Sequence, residues 1–191
     1  MATSIDMASN GLILIGDDPI SSFDDPGAGA QAASALYETT YTSVLASHPW
    51  TFALKEQYLS KLSQTPDDKT GFSNAFQLPP DLIRVWKIMS HSNYTIVGSL
   101  VYSNEDTLLC RYNYRTDEVD LPPQIVEAIE YKLASKFAVP VAEDENKAAF
   151  YKQAFKEQAA IARSIDSQNK PQVPIVDSPF VEVRLSGGGI Y

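Results

Sequence analysis

The sequence is poorest in the residue types that carry most protein chemistry. It has one cysteine, Cys110, and two histidines, His48 and His91. A single cysteine excludes an intramolecular disulfide and leaves no thiolate zinc site to expect. Folding in a reducing cytoplasm fits that count. Neither histidine stands in HExxH, HxH or another ligand spacing. With so little imidazole, a Ser-His-Asp or Cys-His nucleophile is not expected, and no G-x-S-x-G phrase is present. No stretch has the apolar length of a membrane-crossing helix. The first residues lack a basic region followed by an apolar segment, so a secretory signal and ordinary export are not expected. Basic charge is scarce too: the net charge is −9, and no cluster of lysine and arginine stands out along the chain. Coating nucleic acid needs such clusters, so that class is disfavoured.

The remaining motifs carry little chemistry. Gly27–Ala28–Gly29–Ala30 and Gly187–Gly188–Gly189 lack the Lys-Ser/Thr and the strand-turn-helix setting of a phosphate loop. The first reads as a soft helix start, the second as a flexible end. Asp17–Asp18, Asp24–Asp25 and Glu143–Asp144–Glu145 lack the alternating ligands, glycine and terminal glutamate of a calcium loop. The last reads as negative charge at a helix N-terminus. His48 falls at a helix end, where the helix dipole favours a cation, and His91 in a polar turn. Cys110 falls within a strand pattern, as a small buried side chain. No catalytic residue, metal ligand or cofactor is implied. A glycosidase needs two carboxylates about one sugar bond, and nothing singles out a pair among the 24 acidic residues.

What is present is a folding pattern of helix, helix, a β-rich middle, helix, helix and an irregular tail, an α+β chain. Ile5–Ile15 is short and apolar, and Gly16 can end it as a helix cap. Asp17, Asp18, Pro19 and Ser21–Ser22 make a loop. Asp25–Pro26 is expected to start the second helix, with Asp25 accepting free N–H groups. Ala33, Leu36, Tyr37, Tyr41, Val44 and Leu45 line one face, and His48–Pro49 closes it. Trp50, Phe52 and Leu54 alternate as the start of a strand. Gln64–Asn74 is polar and turn-rich. Leu82–Ile88, Tyr94–Tyr102 and Leu108–Tyr114 have strand composition, with Ser103–Asp106 as a turn. Three or four antiparallel strands are the economical reading. Leu121–Pro122–Pro123 opens a third helix with Val126, Ile129, Leu133 and Phe137 inward, stopped by Pro140. A fourth runs from Asp144 to Ser167 with Ala148, Tyr151, Phe155, Ala159 and Ala162 on one face. Beyond it, prolines 171, 174 and 179 punctuate Val173, Ile175, Val176, Phe180, Val181, Val183 and Leu185. That tail is too apolar for a disordered one and cannot form a helix. An extended apolar arm packs on its own body or on a neighbour.

Several phrases, in order, resemble one family. Gly11–Ile20, reading GLILIGDDPI, resembles the opening of podovirus tail tubular protein A, the head-to-tail adaptor family. An alanine-rich helix follows, here from Ala28 to Ser47. His48–Pro49–Trp50–Thr51–Phe52–Ala53 is similar to the family's Trp-Asn-Phe-Ala phrase, with Thr51 in place of the asparagine. Phe76–Val85, FQLPPDLIRV, is similar to its Leu-Pro-x-Asp-x-x-Arg-Val phrase. Leu121–Pro122–Pro123 followed by Ala128–Ala138 resembles its Leu-Pro and alanine-rich helix pair. Asp177–Arg184 resembles its tail, with Phe180 for a tryptophan and Val183 for an alanine.

This resemblance implies a helical bundle (1–48 and 121–168), an inserted antiparallel β-rich lobe (49–120) and an extended C-terminal arm (169–191). It implies a structural virion protein, made in the host cytoplasm, that forms a twelvefold ring joining the portal to the tail nozzle of a short-tailed bacteriophage. Its partners would be the portal protein, a tail tubular B-like nozzle protein, other copies of itself and a tail fibre protein. Val173, Ile175, Val176, Phe180, Val181, Val183 and Arg184 would bind the portal or a neighbour. DNA would pass through the lumen without specific binding, which an acidic surface suits, and no membrane is involved. The alternative is a tail-associated glycan hydrolase, since such activity has been credited to some members of the family.

Overall fold

Thr3 and Asp6 begin the first helix with a reciprocal cap. The Asp6 N–H donates to Thr3 Oγ1 at 3.2 Å, and the Thr3 N–H donates to Asp6 Oδ2 at 2.9 Å, which satisfies two orphan donors. The resulting α1 (Ser4–Ile15) stops at Gly16, whose φ of 89° is left-handed, a conformation glycine adopts without cost. A computed structural model describes residues 2–63 and 71–169 of the chain. Its further elements are α2 (Ala28–Leu45), β1 (Leu54–Tyr58), β2 (Ser60–Lys61), β3 (Asn74–Gln77), β4 (Leu82–Met89), β5 (Tyr94–Val97), β6 (Leu100–Ser103), β7 (Leu109–Tyr114), α3 (Pro123–Ala142) and α4 (Glu145–Gln168). The fold is mixed α+β, as expected.

The four helices share one apolar core. Met7, Leu12 and Ile15 of α1 meet Tyr37, Tyr41, Val44 and Leu45 of α2, Ile125, Ile129, Leu133 and Phe137 of α3, and Ala162 of α4. Close approach is built in at Gly11. A Cβ there would lie 3.1 Å from Leu133 Cβ, so the absent side chain lets α1 lie tightly on α3.

Two antiparallel sheets form the rest, in the orders β1-β7-β4 and β2-β3-β6-β5. Phe76 and Val101 from the second sheet meet Ile88, Cys110 and Tyr112 from the first, with Leu59, Leu78 and Leu108. This second core is built from alternate strand positions, as one buried sheet face requires.

Several sequence expectations are corrected. Asp25 does not cap α2: its carboxylate accepts the N–H groups of Ser21 and Ser22 at 2.7 and 3.0 Å, closing the preceding loop. Gly27, with φ 140°, stands at the N-cap and brings no side-chain bond. Trp50 and Phe52 do not start a strand. Thr51–Ala53 is a 3-10 turn, because Trp50 and Ala53 both join the helical core. Tyr94–Tyr102 is two strands rather than one, folded at Gly98, whose φ is 60°. Among the described residues there are seven strands, not three or four. Asn74, placed in a loop by composition, already belongs to β3, while 64–70 lie outside the described residues. Pro140 does not stop α3, which continues to Ala142. It is exposed, so the carbonyl that it leaves unpaired can be hydrated. Glu143 then takes a left-handed φ of 50°. Asp144 caps α4, accepting from the Asn146 and Lys147 N–H groups at 2.9 Å each.

Candidate functional site

The residues singled out for partner binding, Val173, Ile175, Val176, Phe180, Val181, Val183 and Arg184, lie outside the described residues. Three places among the described residues bring together side chains on which the functional reading turns.

The first is the junction between the two cores. The C-terminal carbonyls of α2 have no helical partner, and lobe side chains take them. Asn113 on β7 is fully buried. Its amide donates to the Leu45 carbonyl, and to the His48 carbonyl at 2.8 Å. Its oxygen accepts from Trp86 Nε1 at 2.5 Å. Arg84 donates to the Ala46 carbonyl at 2.9 Å and stacks 4.2 Å over the Trp86 ring. Trp50 Nε1 donates to the Val44 carbonyl at 3.0 Å. From the far end of α4, Asp166 Oδ1 accepts the Thr51 N–H and hydroxyl at 2.9 and 2.6 Å. Its other oxygen is 3.7 Å from His48 Nε2. His48 stands edge-on to Trp50 with ring centres 4.7 Å apart. These groups build a structural joint.

The second is a cleft of about 260 Å³ lined by Phe23, Tyr37, Glu38, Arg115 and Glu118. It brings two carboxylates together, but around a guanidinium. Arg115 Nε and Nη2 donate to the two oxygens of Glu38 at 2.8 and 3.0 Å, a bidentate pairing. Nη2 also donates to Glu118 Oε1 at 2.7 Å. The Tyr37 hydroxyl adds a longer bond to the same oxygen at 3.4 Å. Burial first, and Glu118 next, push the Tyr37 hydroxyl far above its ordinary range. Burial likewise pushes Tyr41, which lies under Arg115, up to about 12. Both hydroxyls therefore stay protonated at neutral pH, as fixed donors.

The third is an exposed apolar edge. β5 ends the four-stranded sheet, and each of its residues is exposed. Tyr94 and Ile96 are 41% exposed and Val97 58%. A strand edge presents unpaired N–H and C=O groups, and natural sheets usually guard it with charge. Here three large apolar side chains flank it instead.

The chemistry-bearing residues of the sequence are otherwise dispersed. Cys110 is buried in the lobe core, and burial raises its thiol to about 11. The His91 N–H donates to Glu105 at 2.5 Å, in the turn between β4 and β5. No group of three or more His, Cys, Asp or Glu among the described residues is placed to hold a metal ion. No described helix is long and apolar enough to cross a membrane. The chain matches no described protein family, and no curated protein sequence is significantly similar to it.

Proposed function

We propose that the chain is a structural subunit of a short-tailed phage virion, a head-to-tail adaptor that forms a ring between portal and nozzle. The carrying observation is the apolar β5 edge, formed by Tyr94, Ile96 and Val97. An exposed apolar strand edge is a template for another protein chain. The ordered phrases from Gly11 to Arg184 support the same reading. The joint around Asn113 suits a part that must hold its shape between two partners. The net charge of −9 suits a conduit that must not retain DNA phosphates.

In this reading the portal, a tail tubular B-like nozzle protein, a tail fibre protein and further copies of the chain are the partners. The arm bearing Val173, Ile175, Val176, Phe180, Val181, Val183 and Arg184 reaches one of them. The glycan-hydrolase reading would fall to Glu38 and Glu118, the carboxylates of the cleft. Both are engaged by Arg115, and a hydrolase needs one carboxyl group free to protonate the leaving oxygen.

The test is to mix the purified chain with its phage's portal ring and image the product by electron microscopy. A symmetric ring added beneath the portal is expected, and removal of the residues after Pro171 should weaken it without unfolding the chain. No added ring on a competent portal overturns the reading. Glycan hydrolysis lost in Glu38→Gln or Glu118→Gln would then establish the alternative.

A further inference from the structure

No cluster of basic residues is visible along the sequence, yet the fold assembles one. Lys132 and Lys136 are one turn apart on α3, and Lys152 and Lys156 one turn apart on α4. Together with Ser135 and Phe155 they line a groove of about 320 Å³. Four of the chain's fifteen basic residues thus converge on one place. Lys132 Nζ donates to Ser43 Oγ at 2.6 Å and lies 4.9 Å over the Phe155 ring. Burial, and then Lys136, hold its ammonium below the ordinary lysine range.

Among the described residues, none of the four lysines has an acidic partner. Nearby acids on the same helices are engaged elsewhere. Glu127 accepts from Tyr131 and Gln158, Glu130 from Asn10, and Glu157 from Gln153. Like charges one turn apart repel, so the groove is stabilised when an anion occupies it.

The same chain carries the complement. The loop between α1 and α2 holds Asp17, Asp18, Asp24 and Asp25, none with a basic partner among the described residues. It is held in shape. Ser9 bonds both backbone groups of Ile20, at 2.8 and 3.2 Å, and Ile20 and Phe23 pack on the helical core. A preorganised loop loses little entropy on docking. The loop lies against Val141, and at 3.6 residues per turn Val141 is about 180° around α3 from Lys132. Groove and loop therefore lie on different sides of α3, which prevents pairing within one copy.

We infer that the lysine groove of one copy receives the acidic loop of a second copy. This inference rests on the ring reading and supplies its subunit contact. The contact is head-to-tail, since each copy keeps a free loop and a free groove for its neighbours, and such contacts form a ring when the rotation between copies closes, as on a symmetric portal template. Phe155 and the lysine stems give the loop an apolar floor, while the ammonium groups meet its carboxylates.

Charge reversal tests it on full-length chains, with portal rings as template and with sedimentation at low salt. Lys152→Glu with Lys156→Glu, at exposed positions, should weaken ring formation roughly tenfold or more. Asp18→Lys with Asp24→Lys should do the same. The chain carrying all four changes should assemble again, and its carbodiimide cross-links should join α4 to the loop of another copy. Thermal melts of each variant show that the fold survives. Rings that form normally in both reversed variants, or wild-type rings whose cross-links avoid the groove, overturn the inference alone. Absence of any wild-type ring on a competent portal overturns the ring reading with it. Binding of short DNA or inorganic phosphate that depends on the four lysines, with assembly unaffected by them, assigns the groove to another anion and also overturns it.

Discussion

Replacing Asn113 with alanine separates two ideas of how the strand lobe is held to the helices. If apolar contact does it, a polar group at the joint is replaceable. If the lobe is held by capturing the α2 terminus, Asn113 is central. Its side chain is fully buried and makes three hydrogen bonds. The alanine variant strands the Leu45 carbonyl in the buried part of the joint, at about 2 kcal/mol for an unsatisfied acceptor. The His48 carbonyl and the Trp86 indole are only partly buried, so water can replace part of what they lose, at about 1 kcal/mol each. The expected loss is about 4 kcal/mol, a fall of roughly 10 °C in Tm for a chain of this size. Asn113→Leu, which keeps the branched shape but carries no polar group, should lose nearly as much. Urea melts read by fluorescence of Trp50 and Trp86 measure the loss. Labelling of the buried Cys110 thiol, on the same strand as Asn113, reports when the lobe opens. A change below about 1 kcal/mol in either variant, or a neutral leucine, would refute the reasoning.

Two further outcomes follow from local geometry. Gly11→Ala should destabilise by about 1 kcal/mol, because overpacking against the buried Leu133 outweighs the helix propensity gained; a stabilised variant in the same melts would show that α1 can shift away from α3. Glu105 accepts from the Ser90 hydroxyl and the His91 and Ser92 N–H groups at 2.7, 2.5 and 2.6 Å. These bonds, the Ser90 hydroxyl foremost, hold its carboxyl down from 4.5 to about 2. A depressed folded value means the contribution is present above about pH 4.5 and lost as pH falls through about 2. Protection of the His91 and Ser92 amides, corrected for intrinsic exchange, should fall across that window and lose its pH dependence in Glu105→Gln. Unchanged protection in acid would be the contrary result.

Local signals in the sequence placed the helices well. Gly16 ended α1, the apolar spacing of Ala33 to Leu45 marked the buried face of α2, and Leu121–Pro122–Pro123 opened α3. The errors share a cause, which is that local chemistry was reassigned by distant contacts. Asp25 was free to cap α2, but Ser21 and Ser22 took its carboxylate. Trp50 alternates like a strand residue, yet the helical core claims it. Gly98 breaks a run of strand formers because a turn needs a positive φ there. The joint was invisible in the chain, since Leu45, Trp86, Asn113 and Asp166 come from four separate elements. The lysine groove was half visible. Lys132 with Lys136, and Lys152 with Lys156, are spaced to share helix faces, but only the packing of α3 on α4 turns two sparse pairs into one cluster.

The pairing of Leu54 with Asn113 places the start and the end of the strand region side by side. Cross-strand partners stand only about 5 Å apart, so the chain leaves the helices and returns at nearly the same point. A short turn would close that gap as well as the whole lobe does, provided Asn113 kept its place beneath α2. The strand region is therefore inserted between two neighbouring points of the helical body, and its far strands can change without re-routing the chain. The β5 edge lies in the other sheet, so its side chains can change while the four helices keep their packing.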